Sequence, residues 1–386
     1  MTDPGAFARI EQMINSITSL IGDIPEPVRA AFRAAPRHLF IPPVALVGED
    51  RMTRAIDRDA APDTWWDAVY SGMPIVTQLA DGAIPIRETI AADGTLRLPP
   101  DADYTSSNSA PATVADLLVL LDAAPGHRVL EVGTGTGWTA ALLSHLVGEH
   151  NVTSVEVDPA IGEQAAKSLG DVGVQPHLVI GDGADGAPAR APFDRVHVTC
   201  GIRRVPYTWI EQTRSGGLIV APWCPNFGEN HALRLTVTPD GTAYGRFPRF
   251  ASYMMMRSQR PATTADDRRS EHTTTIDPRA IADAPAGARL AMAAITGLGC
   301  YSYPEGDTHR VVVTDPPTGN WSVATWRSGR AEYTVRQAGD RPLWEEVTDA
   351  YFQWVAWGEP RRDRFGMTVT PDGQQVWLDT PQQPIG

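Results

Sequence analysis

Apolar positions fall into two regimes along the chain, separated by a stretch without periodicity between Arg260 and Arg289. Ahead of it, Ile24–Pro42 reads IPEPVRAAFRAAPRHLFIP. Pro25 and Pro27 suit a helix start and Val28, Phe32 and Leu39 share one apolar face, so a small helical lead-in is predicted. Residues 43–104 show no clean period, with Trp65, Trp66, Tyr70 and Met73 set among Gly, Pro and Asp, which reads as loops with short strands. From Ser109 the pattern sharpens. Ser109 suits an N-cap before Ala110-Pro111, Val114, Leu117, Leu118 and Leu121 recur at helical spacing, and the helix should end near Asp122. Strands are then predicted at Arg128–Val132, Val152–Val157, His177–Ile180 and Arg195–Thr199, alternating with helices at Trp138–Leu146 and Ile161–Leu169. Such alternation implies an α/β fold with a parallel sheet covered on both faces. Gly216 and Gly217 precede a strand at Leu218–Val220, and Leu233–Thr238 before Pro239-Asp240-Gly241 reads as half of a hairpin.

Beyond the aperiodic stretch, Arg310–Thr314 and Trp321–Trp326 flank a turn at Asp315–Gly319. A helix over Pro342–Trp357 places Leu343, Val347, Tyr351, Trp354 and Val355 on one face, and Met367–Thr370 pairs with Gln375–Leu378 across a Pro-Asp-Gly turn. The result is a small α+β module holding six of the eleven Trp residues, which serve either a small core or a binding surface. TVTPDG at Thr236 and again at Thr368 needs only a repeated hairpin turn. The expected organisation is an N-terminal helical and loop region over 1–105, a core over 106–260, a linker over 261–285 and the α+β module over 286–386.

Composition narrows the function. With 33 Lys+Arg against 46 Asp+Glu, the formal net charge is −13, so no basic footprint exists for nucleic acid or an anionic membrane surface. Cys200, Cys224 and Cys300 lie far apart without metal-site spacing, and an odd number cannot be fully paired within one chain. No metal is expected. No signal-peptide pattern or long apolar run is found, so a soluble cytoplasmic protein is expected; the oligomeric state stays open.

The candidate chemistry lies at Val129-Leu130-Glu131-Val132-Gly133-Thr134-Gly135-Thr136-Gly137, where an apolar strand runs into a glycine turn and a helix begins at once. A dinucleotide fingerprint would place its third glycine at 138, which is Trp138; the pattern is GxGxG. Glu131 beside the turn suits a cationic ligand such as S-adenosylmethionine. Glu156, at the next strand end with Val157, is placed to accept ribose hydroxyls. Asp182 in Gly181-Asp182-Gly183 is placed to accept from an adenine amino group. A nicotinamide cofactor or a plain set of turns is the alternative.

The segments VRAAFRAAPRHLFIP, NSAPATVADLLVLLDAAPGHRVLEVGTGTGWTAALL, VIGDGADGAPARAPFDRVHVTCGIRRVP and SGGLIVAPW resemble protein-L-isoaspartate O-methyltransferases in order and spacing, over roughly residues 24–225. The resemblance implies a Rossmann-like class I methyltransferase core with a C-terminal α+β extension. It implies S-adenosyl-L-methionine as cofactor and S-adenosyl-L-homocysteine as product. Glu131, Gly133, Thr134, Gly135, Gly137, Trp138, Glu156, Val157, Asp182 and Gly183 are the cofactor candidates. Ser109 matches the active-site serine of the family's Thr-Ile-Ser-x-Pro segment, with Thr105, Ser106, Ser107, Asn108, Thr199 and Cys200 as substrate candidates. Three features depart from the repair enzymes: Thr105-Ser106-Ser107-Asn108 in place of Gln-Thr-Ile, an insertion at about 80–104, and a long C-terminal region. They look more like an actinobacterial subgroup acting on ribosomally made, modified peptides (lanthipeptides and graspetides), whose C-terminal region resembles DRFGMTVTPDGQQVWLD. In that subgroup an ordinary aspartate of a precursor peptide is methylated, leading to aspartimide and isoaspartate.

Two other readings are retained, a general isoaspartyl repair enzyme and a cofactor-binding adaptor that captures a peptide through its C-terminal module. Turnover on a peptide panel separates all three. Among single residues, Ser109 serves as cap or in the active site, and Trp138 packs on an adenosine or on its own helix. His197 reads as a hydrogen-bonded core histidine and Cys200 as a small buried residue.

Overall fold

The computed structural model describes residues 4–48, 53–91, 93–100, 102–262 and 264–386. It divides into two compact units, Met1–Cys200 with Thr208–Val220, and Gly201–Tyr207 with Ala221–Gly386.

The first unit opens with helices α1 (Pro4–Ile21) and α2 (Glu26–Ala34). Val28 and Phe32 are buried as the pattern predicts, whereas Leu39, in a following 3₁₀ turn, points to solvent. The segment read as loops with short strands does hold short strands, and it adds a helix and joins the strands into one sheet. Strands β1 (Val44–Val47) and β2 (Arg54–Asp57), helix α3 (Pro62–Val69), and strands β3 (Ile75–Leu79) and β4 (Tyr104–Asn108) build an antiparallel sheet of order β2-β1-β3-β4. Short strands of two to three side-chain repeats leave too little period to detect. The insertion expected at about 80–104 is the connection of the β3–β4 hairpin, residues 80–103. It is closed by Ala80 N–H donating to Asp103 O at 2.8 Å and by bridges Leu79–Ile84 and Ile90–Leu96.

Helix α4 (Pro111–Leu121) starts on Pro111, whose fixed φ suits the first turn, and stops where Asp122 turns left-handed at φ 50°. Its cap is Ala110, with no side-chain cap bond, so Ser109 is not the N-cap that its position suggests. Alternation then follows as read, with one short helix before the last strand that the sequence pattern did not predict: β5 (Val129–Val132), α5 (Trp138–Val147), β6 (Val152–Glu156), α6 (Pro159–Asp171), β7 (His177–Ile180), β8 (Phe193–Val198), α7 (Tyr207–Glu211) and β9 (Thr213–Trp223). These strands are parallel in the order β7-β6-β5-β8-β9. All four residues of β5 are buried, the run expected of a strand covered on both faces. The chain winds outward from β5 through β6 and β7 and then returns to β8 on the other side. The crevice at the carboxyl end of β5 is therefore the topological switch point, where such sheets bind ligands.

In the second unit, β10 (His231–Val237), β11 (Ala243–Phe250), β17 (Phe365–Thr370) and β18 (Gly373–Leu378) are neighbours in one antiparallel ribbon. The two TVTPDG copies are the turns of its two hairpins. A five-stranded antiparallel sheet joins β12 (Arg269–Thr274), β16 (Tyr333–Ala338), β15 (Trp321–Arg327), β14 (Thr308–Thr314) and β13 (Gly299–Glu305) in that order. Helices α8 (Arg279–Ala282), α9 (Ala286–Thr296) and α10 (Leu343–Ala356) accompany it, and α10 packs on β14 and β15 through buried residues that include Leu343, Trp344 and Val347. The linker expected over 261–285 thus contains a full sheet strand. Its sequence, RSEHTT, is polar on both faces because it lies at the sheet edge. Val355 is exposed, while Trp344, off the predicted face, is buried. Trp344, Trp354 and Trp377 are core residues. Among the described residues no helix is long and apolar enough to cross a membrane.

Candidate active site

Three strand ends converge at the switch point. After β5, Gly133, Gly135 and Gly137 have φ of 96°, 54° and 86°, a region L side chains avoid. A Cβ on Gly133 would lie 2.7 Å from Thr199 Oγ1, so the turn is closed to larger residues as well as left-handed. Gly133 N–H and Thr134 N–H donate to Val155 O at 2.9 and 3.3 Å, seating the turn beside β6.

Glu131 is fully buried under this turn. Ser154 Oγ donates to its Oε2 and Thr134 Oγ1 lies 2.6 Å from Ser154 Oγ, whereas Oε1 has no partner among the described residues. Burial pushes the Glu131 carboxyl up to about 8; the Ser154 bond opposes this and the Glu156 charge adds to it. Ser154, Glu131 and His197 are register neighbours across β6, β5 and β8, and side chains in register on parallel strands share a face. His197 is buried as expected but not hydrogen-bonded. Neither ring nitrogen has a partner among the described residues, and burial pushes its pKa down to about 4.

At the end of β6, Glu156 Oε2 accepts from Gly135 N–H at 2.9 Å and Oε1 from Asp158 N–H at 3.0 Å. A carboxylate offers about four lone-pair sites, so both oxygens retain capacity for ribose hydroxyls. Asp158 caps α6 through Ala160 N–H and Ile161 N–H. At the end of β7, Asp182 Oδ1 accepts from Ala184 N–H at 2.9 Å, and Gly183 is buried with its carbonyl held by Trp209 Nε1. Val157 and Ile180 stand beside these carboxylates, 40% and 52% exposed, as uncovered apolar side chains. Ile180 was not singled out by sequence; its signal is that it is the last apolar residue before Gly181-Asp182-Gly183, paired in register with Glu156.

Two candidates have other occupations. Trp138 is 2% exposed, donates from Nε1 to Ala35 O at 2.9 Å and meets Phe32 edge-on at 5.5 Å. It packs on α2, so it has no free face for an adenosine. Thr199 Oγ1 donates to the carbonyls of Val132 and Gly133 and so holds the glycine turn, while the residue stays partly exposed. Cys200, two residues after β8, is half-buried rather than fully buried and forms no disulfide among the described residues.

The segment 105–109 alternates as strand β4 leads into the helix. Ser106 and Asn108 point inward and are buried; Thr105, Ser107 and Ser109 are partly exposed. Ser106 Oγ accepts from Thr77, and Asn108 Nδ2 donates to Thr136 Oγ1 of the glycine turn at 2.9 Å, so these two are inward anchors. Thr105 Oγ1 donates to Gln78 Oε1 at 2.8 Å, while Gln78 Nε2 donates to Asp158 Oδ2 at 3.0 Å. Gln78, partly exposed, and Arg37, fully buried and donating to Asn108, were not singled out by sequence. The Ser109 hydroxyl makes no hydrogen bond among the described residues.

Residues 96–242 match the family model described as protein-L-isoaspartate(D-aspartate) O-methyltransferase. A protein-L-isoaspartate O-methyltransferase of Pyrococcus horikoshii is 42% identical over 115 residues, 30% of this chain and 52% of that protein. One of Fervidobacterium nodosum is 36% identical over 129 residues, 33% and 65% respectively. The chain spans about half the length of the first of these curated relatives. A solved structure titled protein-L-isoaspartate O-methyltransferase superposes with a TM-score of 0.53 at 19% identity, covering 96% of this chain and all of that one. The fold is that of a class I methyltransferase. That superposition runs far beyond residue 225, so the C-terminal region alone does not set this methyltransferase fold apart.

Proposed function

We propose that the chain is an S-adenosylmethionine-dependent O-methyltransferase whose acceptor is a side-chain carboxylate of an aspartyl-derived residue in a peptide. The observation that carries this reading is the convergence of the glycine turn, Glu156 and Asp182 at three adjacent strand ends beside Ser109. The residues fit the cofactor. The glycine cradle leaves no room for a Cβ at Gly133, Glu131 holds a buried oxygen without a partner among the described residues, and carboxylates suit a ligand with hydroxyls, an amino group and a positive sulfur. When bound, S-adenosylmethionine supplies an electrophilic methyl group.

The remaining work falls to the protein. Glu156 would hold the ribose, Asp182 the adenine amino group, and Val157 with Ile180 would shield the ring. An acceptor carboxylate is already ionised near neutral pH, so no general base is needed. The site must strip water from it and align it, effects of desolvation and positioning. The partly exposed hydroxyls on one face of β4 and its extension, Ser107 and Ser109, are placed to donate to one carboxylate oxygen. Esterification removes the acceptor's charge, and the following backbone nitrogen then attacks the ester carbonyl, expelling methanol and closing a succinimide.

The finer reading is that the acceptor is an ordinary L-aspartate of a ribosomally made, modified peptide, yielding aspartimide or isoaspartate. It is supported by the altered 105–108 segment and by the 80–103 connection on the hairpin that carries that segment. The second reading, general isoaspartyl repair, is favoured by the family match over 96–242. A generic isoaspartyl peptide and a modified precursor peptide, compared for methyl incorporation under equal conditions, decide between them. Methylation of the precursor's aspartate supports dedicated maturation; methylation of the generic peptide alone supports repair. Ser109→Ala should lower turnover on the accepted peptide while leaving S-adenosylhomocysteine affinity intact, and full activity in a folded variant removes Ser109 from the site.

A further inference from the structure

The acceptor segment is tied to one buried side chain. Arg37 Nε donates to Asn108 Oδ1 at 2.7 Å, and one terminal nitrogen donates to Val69 O at 2.7 Å and Ser71 O at 3.4 Å. The other terminal nitrogen donates to Met73 O, Asn108 O and Ser109 O at 3.0, 3.0 and 2.9 Å. Every acceptor is neutral. Arg37 is 0% exposed, its guanidinium lies 5.3 Å from the Trp138 ring centroid, and no carboxylate among the described residues pairs with it. A buried cation without a counter-ion is costly, and neutral donors would satisfy carbonyls more cheaply.

Two of its acceptors are the carbonyls of Asn108 and Ser109. In a trans peptide the C=O and N–H point in opposite directions, so the units 108–109 and 109–110 aim their N–H groups away from the guanidinium. The charge therefore polarises the backbone at the point where a carboxylate would meet Ser109.

We propose that Arg37 is the positioning residue of the acceptor site: it fixes Asn108–Ser109 so that the Ser109 hydroxyl meets the acceptor carboxylate, and its unpaired charge attracts that carboxylate through the intervening peptides. The inference rests on the carboxylate-acceptor reading above, and the two readouts below fail separately.

The first readout is hydrogen exchange. In Arg37→Lys a single ammonium cannot reach six acceptors, so amides of 104–110 should exchange about tenfold faster or more, while those of 129–132 and 152–156 keep their rates. Unchanged exchange in 104–110 overturns the positioning role whether or not any peptide is methylated. The second readout is charge. Asn108→Asp keeps the acceptor for Arg37 Nε, gives the guanidinium a counter-ion, and lets the Thr136 hydroxyl donate where the amide donor is lost. Thr136→Val removes the hydrogen bond to residue 108 without adding charge. On a methylated isoaspartyl or aspartyl peptide, the KM of Asn108→Asp should exceed that of Thr136→Val by about tenfold or more, with S-adenosylhomocysteine affinity alike in both. Equal KM values overturn the electrostatic role. A wild-type protein that methylates neither peptide refutes the carboxylate reading, and with it this electrostatic role; the exchange result then stands alone on the positioning claim.

Discussion

Replacing Glu131 by Gln should stabilise the parallel sheet at and above neutral pH, with the gain disappearing in acid. The carboxyl is buried with one oxygen unpartnered among the described residues, and its pKa rises from 4.5 to about 8 on folding. The folded state thus holds the proton more tightly than the unfolded chain. The stabilisation this gives is complete below pH 4.5 and is lost as pH rises to about 8. Each intervening pH unit is worth about 1.4 kcal/mol, so wild type should lose roughly 3–5 kcal/mol between pH 5 and pH 8.5 through this group alone. Gln does not titrate, and its oxygen can still accept from Ser154 Oγ. Its N–H₂ carries a fixed penalty of about 1–3 kcal/mol if unpaired, which cancels when the variant is compared with itself across pH. Exchange of the β5 and β6 amides measures local stability without requiring both compact units to unfold together. The stability difference between variant and wild type should grow by the stated amount from pH 5 to pH 8.5. Parallel profiles would refute the reasoning.

His197→Leu should flatten the acid limb of stability, because the folded-state pKa near 4 lies below the ordinary 6.5. The stability from the neutral ring is full above 6.5 and falls by about 3 kcal/mol as pH drops towards 4. A wild-type slope in urea denaturation of the variant over that range counts against it. Gly137→Ala combines a φ of 86° with a Cβ 3.3 Å from Leu169, and should weaken S-adenosylhomocysteine binding. Gly126→Ala has similar strain at φ 83° in open space, and calorimetry should show its affinity unchanged. Trp138→Phe should cost about 1–2 kcal/mol by losing the bond to Ala35 O, with unchanged affinity. A large affinity loss in that variant would return the ring to the ligand.

The parallel core was legible because β5 to β8 are short segments rich in Val, Leu and Ile with helical spacing between them, and because a left-handed turn after β5 demands glycines. Glu156 and Asp182 followed from their places at strand ends. Short strands were expected in 43–104, but their pairing into an antiparallel sheet was not legible because each is too short to show a period, and Gln78 and Arg37 reach the site from far along the chain. Ser109 looked like a cap because Ser before Ala-Pro commonly is one, yet Pro111 pre-sets the first turn and Ala110 takes the cap position. Strand β12 escaped notice because an edge strand with polar faces has the composition of a linker.

The central claim is that three strand ends hold one ligand. Calorimetric titration of S-adenosylhomocysteine into wild type and into the double variant Glu156→Ala with Asp182→Ala tests it most directly. The account predicts one site in wild type and at least about a hundredfold weaker binding in the double variant, two hydrogen-bonding carboxylates each contributing about 1.5 kcal/mol or more. Absence of binding to wild type, or equal affinity in both proteins, would contradict it.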